Sequence, residues 1–237
     1  MFFRMFAAAL AAGLLSAVLI TGLQAVITTP LILEAETYEV VNPGHDHGST
    51  EGEHDHGTAT NAPSENAWMP AEGMERMLYT LLANFGAGVG FSLLLIVGLS
   101  FDLPAAGAER GLLWAVGGFA VFTLAPALGL PPGIPGMAVP DEKSAQIWWL
   151  ITVLLSAGGL GCLVFGKSTV LKLLGPILLA LPHLWGAPRG FGDSLVPAAM
   201  AARFSASSIV LSAVFWVAIG YFSGAIFARL GEKSANG

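Results

Sequence analysis

The chain has 237 residues, of which 54% are hydrophobic and 11% charged, with a mean hydropathy of +0.70 and a formal net charge of −6. A soluble globular domain carries roughly a quarter charged residues, so this composition excludes one and indicates an all-α, polytopic integral membrane protein. The acidic balance also excludes a nucleic-acid partner, because binding a phosphate backbone needs clustered Lys and Arg.

A helix that crosses the hydrocarbon core needs about 20 mostly apolar residues at about 1.5 Å rise each. Six stretches approach that length, at residues 6–27, 78–100, 111–130, 147–165, 170–185 and 204–228. The first has one basic residue before it, Arg4, and an Ala/Leu-rich centre longer than a signal-peptide core, and Leu23-Gln24-Ala25 is a poor small-x-small cleavage site. It therefore reads as an uncleaved span. The fifth is the shortest and carries Gly175-Pro176 and Pro182-His183. It is the one that would be tilted, broken or re-entrant, so the expectation is a bundle of five to six transmembrane helices forming one domain over residues 1–237.

Pro30 follows the first stretch and should end or kink it, having no N–H and a fixed φ. Glu34, Glu36 and Glu39 come next and gather acidity beside the membrane. Residues 42–66 are rich in Gly, Ser, Thr, Pro, Asp, Glu and His, cannot bury a core, and should be disordered without a ligand. Two tripeptides stand out within them, His45-Asp46-His47 and His54-Asp55-His56, which use four of the five histidines. Residues at i and i+2 of an extended segment project to one side, so both imidazoles of a tripeptide can reach one ion. With Glu51 and Glu53 between them, the two tripeptides could surround one ion or hold two. The bland alternative is a solvated acidic linker. Imidazole and carboxylate suit divalent transition metals but do not choose among them, since affinity rises toward Cu²⁺ in any such site.

Later in the chain, Asn84 lies inside the second stretch beside Gly86 and Gly90, as a ligand or as interhelical glue. Pro126, Pro131, Pro132 and Pro135 break the end of the third, as a re-entrant lining or a rigid loop, and Met137 after them is either a soft ligand or a packing residue. Cys162 sits in an apolar run, where it can form no intrachain disulfide because it has no cysteine partner in this chain. His183 is the only histidine outside the loop. An ionisable group at membrane depth is expensive and is a functional candidate by default, and Pro182 before it frees backbone groups that can face a cavity.

Lys and Arg in short loops set orientation. With a cytoplasmic N-terminus, the inner side holds Arg4, Arg110, Lys167, Lys172, Arg229 and Lys233, against Arg76, Lys143, Arg189 and Arg203 outside. That bias puts both termini inside a six-span chain and the His-rich loop outside. The six tryptophans fall mostly near span ends, as interfacial anchors do. No nucleotide-binding Gly-rich loop, His-Glu-x-x-His helix or Gly-x-Ser-x-Gly elbow occurs, so the chain is not read as an enzyme.

Several blocks together resemble the CbtA family of predicted cobalt transporter subunits. They are Met1-Phe2-Phe3-Arg4-Met5-Phe6, Thr29-Pro30-Leu31-Ile32-Leu33-Glu34-Ala35-Glu36-Thr37-Tyr38-Glu39, the His-rich loop, Glu75-Arg76-Met77-Leu78-Tyr79-Thr80-Leu81-Leu82-Ala83-Asn84, Leu124-Ala125-Pro126-Ala127-Leu128-Gly129-Leu130-Pro131-Pro132, and Leu179-Ala180-Leu181-Pro182-His183-Leu184-Trp185-Gly186-Ala187-Pro188. The resemblance implies about five spans in the inner (plasma) membrane and import of cobalt for cobalamin synthesis, alongside a small His-containing membrane partner subunit (CbtB-like). Cobalt would be the cargo, with nickel, zinc or copper open and no resident cofactor. A homo-oligomer is compatible with it. The mechanism expected from the residues is capture by the loop histidines and aspartates, guidance by Glu34 and Glu36, and a path lined by Asn84, Pro126, Pro182 and His183. The alternative is a non-transporting accessory subunit whose loop buffers or senses metal.

Overall fold

The computed structural model describes residues 2–41, 70–71, 73–101, 107–190 and 192–235. Those residues contain helices and connections and no strand. Helix α1 is Phe2–Ile27, α2 Thr29–Val41, α3 Met74–Ser100 and α4 Ala108–Phe119. A π-helical turn at Ala120–Leu124 joins α4 to the short α5, Ala125–Gly129. Helices α6 (Glu142–Phe165), α7 (Thr169–Trp185) and α8 (Ala198–Ala235) complete the chain.

Five segments are long and apolar enough to cross a membrane, namely α1, α3, α4 through α5, α6 and most of α8. Helix α7 has 17 residues, about 25 Å, at the short limit for a span. Its contacts show how far it reaches. It returns antiparallel along α6, with Leu171 beside Gly166, Gly175 beside Gly159 and His183 against Trp148. The short helix therefore runs alongside most of α6.

The other pairs alternate in direction as well. Gly13 of α1 meets Gly88 of α3, while Ala8 and Ala9 pack on Ile96 and Leu99. Gly98 of α3 meets Trp114 of α4, and Gly111 of α4 meets Gly220 of α8. Trp114 lies over Phe165, and Phe122 over Trp149, so α6 runs against α4. The start of α1 and the end of α8 consequently share one end of the bundle, where Arg4 stacks on Phe227 with its guanidinium 5.8 Å from the ring centroid. Here it is called the terminal end. The opposite end, where α2 leaves α1, is the α2 end.

Small residues explain the tightness. Without a hydrophobic drive between helices in lipid, association rests on close packing, and glycine lets backbones touch. A Cβ on Gly13 would lie 2.7 Å from the Val89 nitrogen, and one on Gly88 would lie 2.9 Å from the Gly13 oxygen. The pair singled out by sequence, Gly86 and Gly90, does something else: both face open space, and Gly88 between them makes the contact.

Pro30 interrupts the first helix as its missing N–H requires. The chain resumes at once, because the Thr28 N–H bonds the Gln24 oxygen and the Ile32 N–H bonds the Thr28 oxygen. Helix α2 then lies over the bundle, with Leu31 and Ala35 packed on Ile134, Val196 and Phe204. The Pro-rich segment after α5 is part of that cover: Ser205 donates to the Pro132 oxygen at 2.7 Å, and Met137 packs there while its sulfur accepts from the Ile134 N–H. Two tryptophans depart from the interfacial expectation. Trp216 is buried among Phe91 and Phe122 and donates to Thr123 of the π turn, and Trp148 is buried beside His183.

Candidate functional site

One cavity stands at the α2 end, about 470 Å³ in volume, between α1, α2, α3 and α8. Its polar lining comes from Gln24, Thr28 and Thr29 near the α1–α2 junction, Arg76, Thr80 and Asn84 of α3, and Ser208 and Ser212 of α8. Ile20, Leu211 and Phe215 close it below. The lining follows from helix periodicity: Gln24 and Thr28, then Thr80 and Asn84, then Ser208 and Ser212, are pairs one turn apart on their helices.

Asn84 ties α3 to α1. Its Nδ2 donates to Thr21 Oγ1 at 2.9 Å and to Gln24 Oε1 at 2.6 Å. Both amide hydrogens are used, which leaves its Oδ1 as an acceptor at the cavity wall. At the mouth Arg76 and Glu36 form a two-pronged ion pair, Nη1 to Oε1 at 2.9 Å and Nη2 to Oε2 at 3.3 Å. The carboxylate of Glu36 is thus already engaged by a guanidinium, and the pair brings no net charge to the cavity. Further in, hydroxyl and amide groups share the wall with Ile20, Ile32, Phe204, Leu211 and Phe215, a polar patch that can replace part of a hydration shell without holding a bare ion.

The other expected site residues lie elsewhere. Glu34 is exposed on α2, with its backbone oxygen capped by Thr37. Pro126 is buried just after the π turn, a place where the ladder has already slipped and a missing N–H costs least. His183 and Pro182 belong to the α6–α7 hairpin, His183 half-buried and edge-on to Trp148 at 6.1 Å between ring centres. The structure brings Asn84 to the cavity, ties Glu36 to the lining residue Arg76, and does not bring His183 there. His45, Asp46, His47, His54, Asp55 and His56 lie outside the described residues. Among the described residues no group of three or more His, Cys, Asp or Glu side chains converges to hold a metal.

Sequence reasoning passed over Thr21, Gln24, Thr28, Ser208 and Ser212. The signal was available in the four-residue spacing of Gln24–Thr28 and Ser208–Ser212 inside otherwise apolar helices, since a polar face one turn long in a span needs a polar neighbour.

Outside the membrane, Asp141 caps α6 by accepting from the Ser144 N–H at 2.9 Å and from its hydroxyl. The backbone bond first, then the hydroxyl and nearby Lys143, hold its carboxyl below the ordinary 3.8.

A model of the family described as "Probable cobalt transporter subunit (CbtA)" matches residues 2–228. No curated protein and no solved structure matches the chain.

Proposed function

Because the chain belongs to the CbtA family, described as probable cobalt transporter subunits, we propose that it carries Co²⁺ across the membrane and that the ion enters through the cavity at the α2 end. The observation that carries this reading is the cavity itself: a recess between α1, α2, α3 and α8 with hydroxyl and amide groups in its wall and Arg76 at its mouth, closed toward the terminal end by Ala8, Ala9, Ile96, Leu99 and Phe227. A path open at one end and sealed at the other is what a permease presents to its substrate between turnovers.

In this reading the His45–His47 and His54–His56 tripeptides capture the ion. The Arg76–Glu36 pair at the rim is the charged group it meets next. A divalent cation approaching Glu36 competes with Arg76 for the carboxylate. Both termini lie at one end of the bundle with Arg4, Arg110, Lys167 and Arg229, which supports a cytoplasmic assignment for that end and an external one for the loop, in an inner (plasma) membrane. The family description names one subunit of a transporter, which supports a membrane partner, proposed to be small and His-containing. The proposed use of the metal is cobalamin synthesis, with nickel the nearest competitor.

The same description favours one second reading, an accessory chain that presents metal to a partner which does the moving. Purified protein in liposomes separates the two. Transport predicts time-dependent entry of radiolabelled Co²⁺, which Asn84→Leu abolishes. Binding without entry, followed by entry once the partner is added, would leave the accessory role standing.

A further inference from the structure

Three helix ridges lead out of the floor of the cavity. Ridges of residues four apart are the rows along which helices interlock. On α1 the row is Gln24, Ile20, Ser16, Ala12, Ala8; on α3 it is Asn84, Gly88, Ser92, Ile96; on α8 it is Phe215, Ile219, Ser223, Phe227. Each row begins at the cavity lining and ends in the apolar cluster at the terminal end. Each also carries one serine midway, and all three serines are fully buried, at 0% exposure.

None of the three hydroxyls has a hydrogen-bond partner in the structure. A serine inside a span usually returns its hydroxyl to the carbonyl one turn back, as Thr152 does to Trp148 at 2.8 Å. Buried polar groups are otherwise nearly always paired. Three orphaned hydroxyls along one seam, one from each helix below a polar recess, are not explained by packing, since alanine would fill those positions as well.

We propose that Ser16, Ser92 and Ser223 line the second half of the ion's path, three staggered oxygens that a hydrated divalent cation meets in turn when the α1–α3–α8 seam opens beneath the cavity. The Gly13–Gly88 contact is the point of closure: Ser16 lies on its cavity side and Ser92 on its far side, and its two backbones touch with no side chain between them. Loosening that contact joins the two sides of the seam without moving a bulky group. An oxygen-only set does not select cobalt over similar ions, so these serines serve conduction. The inference rests on the transport reading, but its test can fail separately.

Ser156 supplies the control. Its hydroxyl is equally buried and equally unpaired, yet it belongs to α6, outside the seam. In full-length protein carrying Cys162→Ser, single variants Ser16→Cys, Ser92→Cys, Ser223→Cys and Ser156→Cys are made in membrane vesicles and treated with a cationic, water-borne methanethiosulfonate. A thiol in an apolar seal stays protonated and inert, whereas one reached by water ionises, so the three seam variants should react at least about tenfold faster than Ser156→Cys. Cobalt chloride should slow them and leave Ser156→Cys unchanged. Alanine at each position, a change that preserves packing, gives the second readout: Ser16→Ala, Ser92→Ala and Ser223→Ala should lower cobalt uptake severalfold and Ser156→Ala should not. Seam thiols that react no faster than Ser156→Cys, in protein that still takes up cobalt, would overturn the serine-lined path and leave the transport reading intact. Fast, cobalt-insensitive seam thiols in protein that moves no cobalt would keep a wet seam and overturn cobalt as its cargo.

Discussion

The bundle of α1, α3, α4 and α8 and the hairpin of α6 and α7 are built from the same materials and use them differently. Both depend on glycine pairs that bring backbones together, Gly13–Gly88 and Gly111–Gly220 in the bundle, Gly159–Gly175 in the hairpin. The bundle, however, pools its polar groups: Thr21, Gln24, Asn84, Thr80, Ser208 and Ser212 gather around or beside one cavity. In the hairpin they stand apart, with His183 edge-on to Trp148, Trp148 Nε1 and Ser156 unpaired, and Thr152 bonded to its own helix. The lesson concerns how to weigh polar residues in a membrane. A single ionisable group draws attention by its cost, but a path needs several modest groups facing one another.

The comparison breaks first at its glycines. Gly13→Leu forces a side chain into the Val89 backbone and should cost about 3 kcal/mol or more, seen as loss of monodisperse protein in detergent. Gly86→Leu, which points into open space, should leave the elution profile unchanged. Equal damage from both would mean that α1 and α3 do not meet through Gly13 and Gly88.

Asn84→Leu comes next. It strands the Thr21 and Gln24 oxygens and should cost about 1 kcal/mol in thermal unfolding, in line with interhelical hydrogen bonds elsewhere in membranes. The Arg76–Glu36 pair is smaller: its side chains are 24% and 34% exposed, so a double-mutant cycle with Arg76→Gln and Glu36→Gln should give about 0.5 kcal/mol of coupling, weakened by added salt. A coupling several times larger would show that the mouth is far drier than the geometry implies.

The smallest effect lies at the start of the hairpin. Asp141 has its folded pKa below the ordinary 3.8. Its stabilisation is therefore present above that value and disappears as pH falls through the lowered one. Wild-type protein should lose a little thermal stability as acid protonates this cap, and Asp141→Ala should show the loss at neutral pH with the acid-dependent part gone. An unchanged acid limb in Asp141→Ala would assign the titration to another group.

Much of this architecture was legible beforehand because it rests on run length. Apolar runs reported the five long helices and the shorter one at 170–185, and Pro30 reported the break between α1 and α2. The π turn at Ala120–Leu124 left no periodic trace; only Pro126 hinted that the ladder would slip there. The cavity was legible through Asn84 alone. Its partners are 63 and 60 residues away in sequence, and neutral Ser and Thr in a span look like ordinary packing until their helices are placed side by side. His183 was the opposite case, conspicuous in the sequence and solitary in the fold.

Radiolabelled Co²⁺ uptake by vesicles carrying the wild-type chain, Asn84→Leu or His183→Ala, at matched protein levels, sets the two regions against each other directly. A path through the bundle predicts that His183→Ala accumulates label like the wild type while Asn84→Leu stays at the level of empty vesicles. Uptake retained in Asn84→Leu and lost in His183→Ala would place the path in the hairpin and contradict this account.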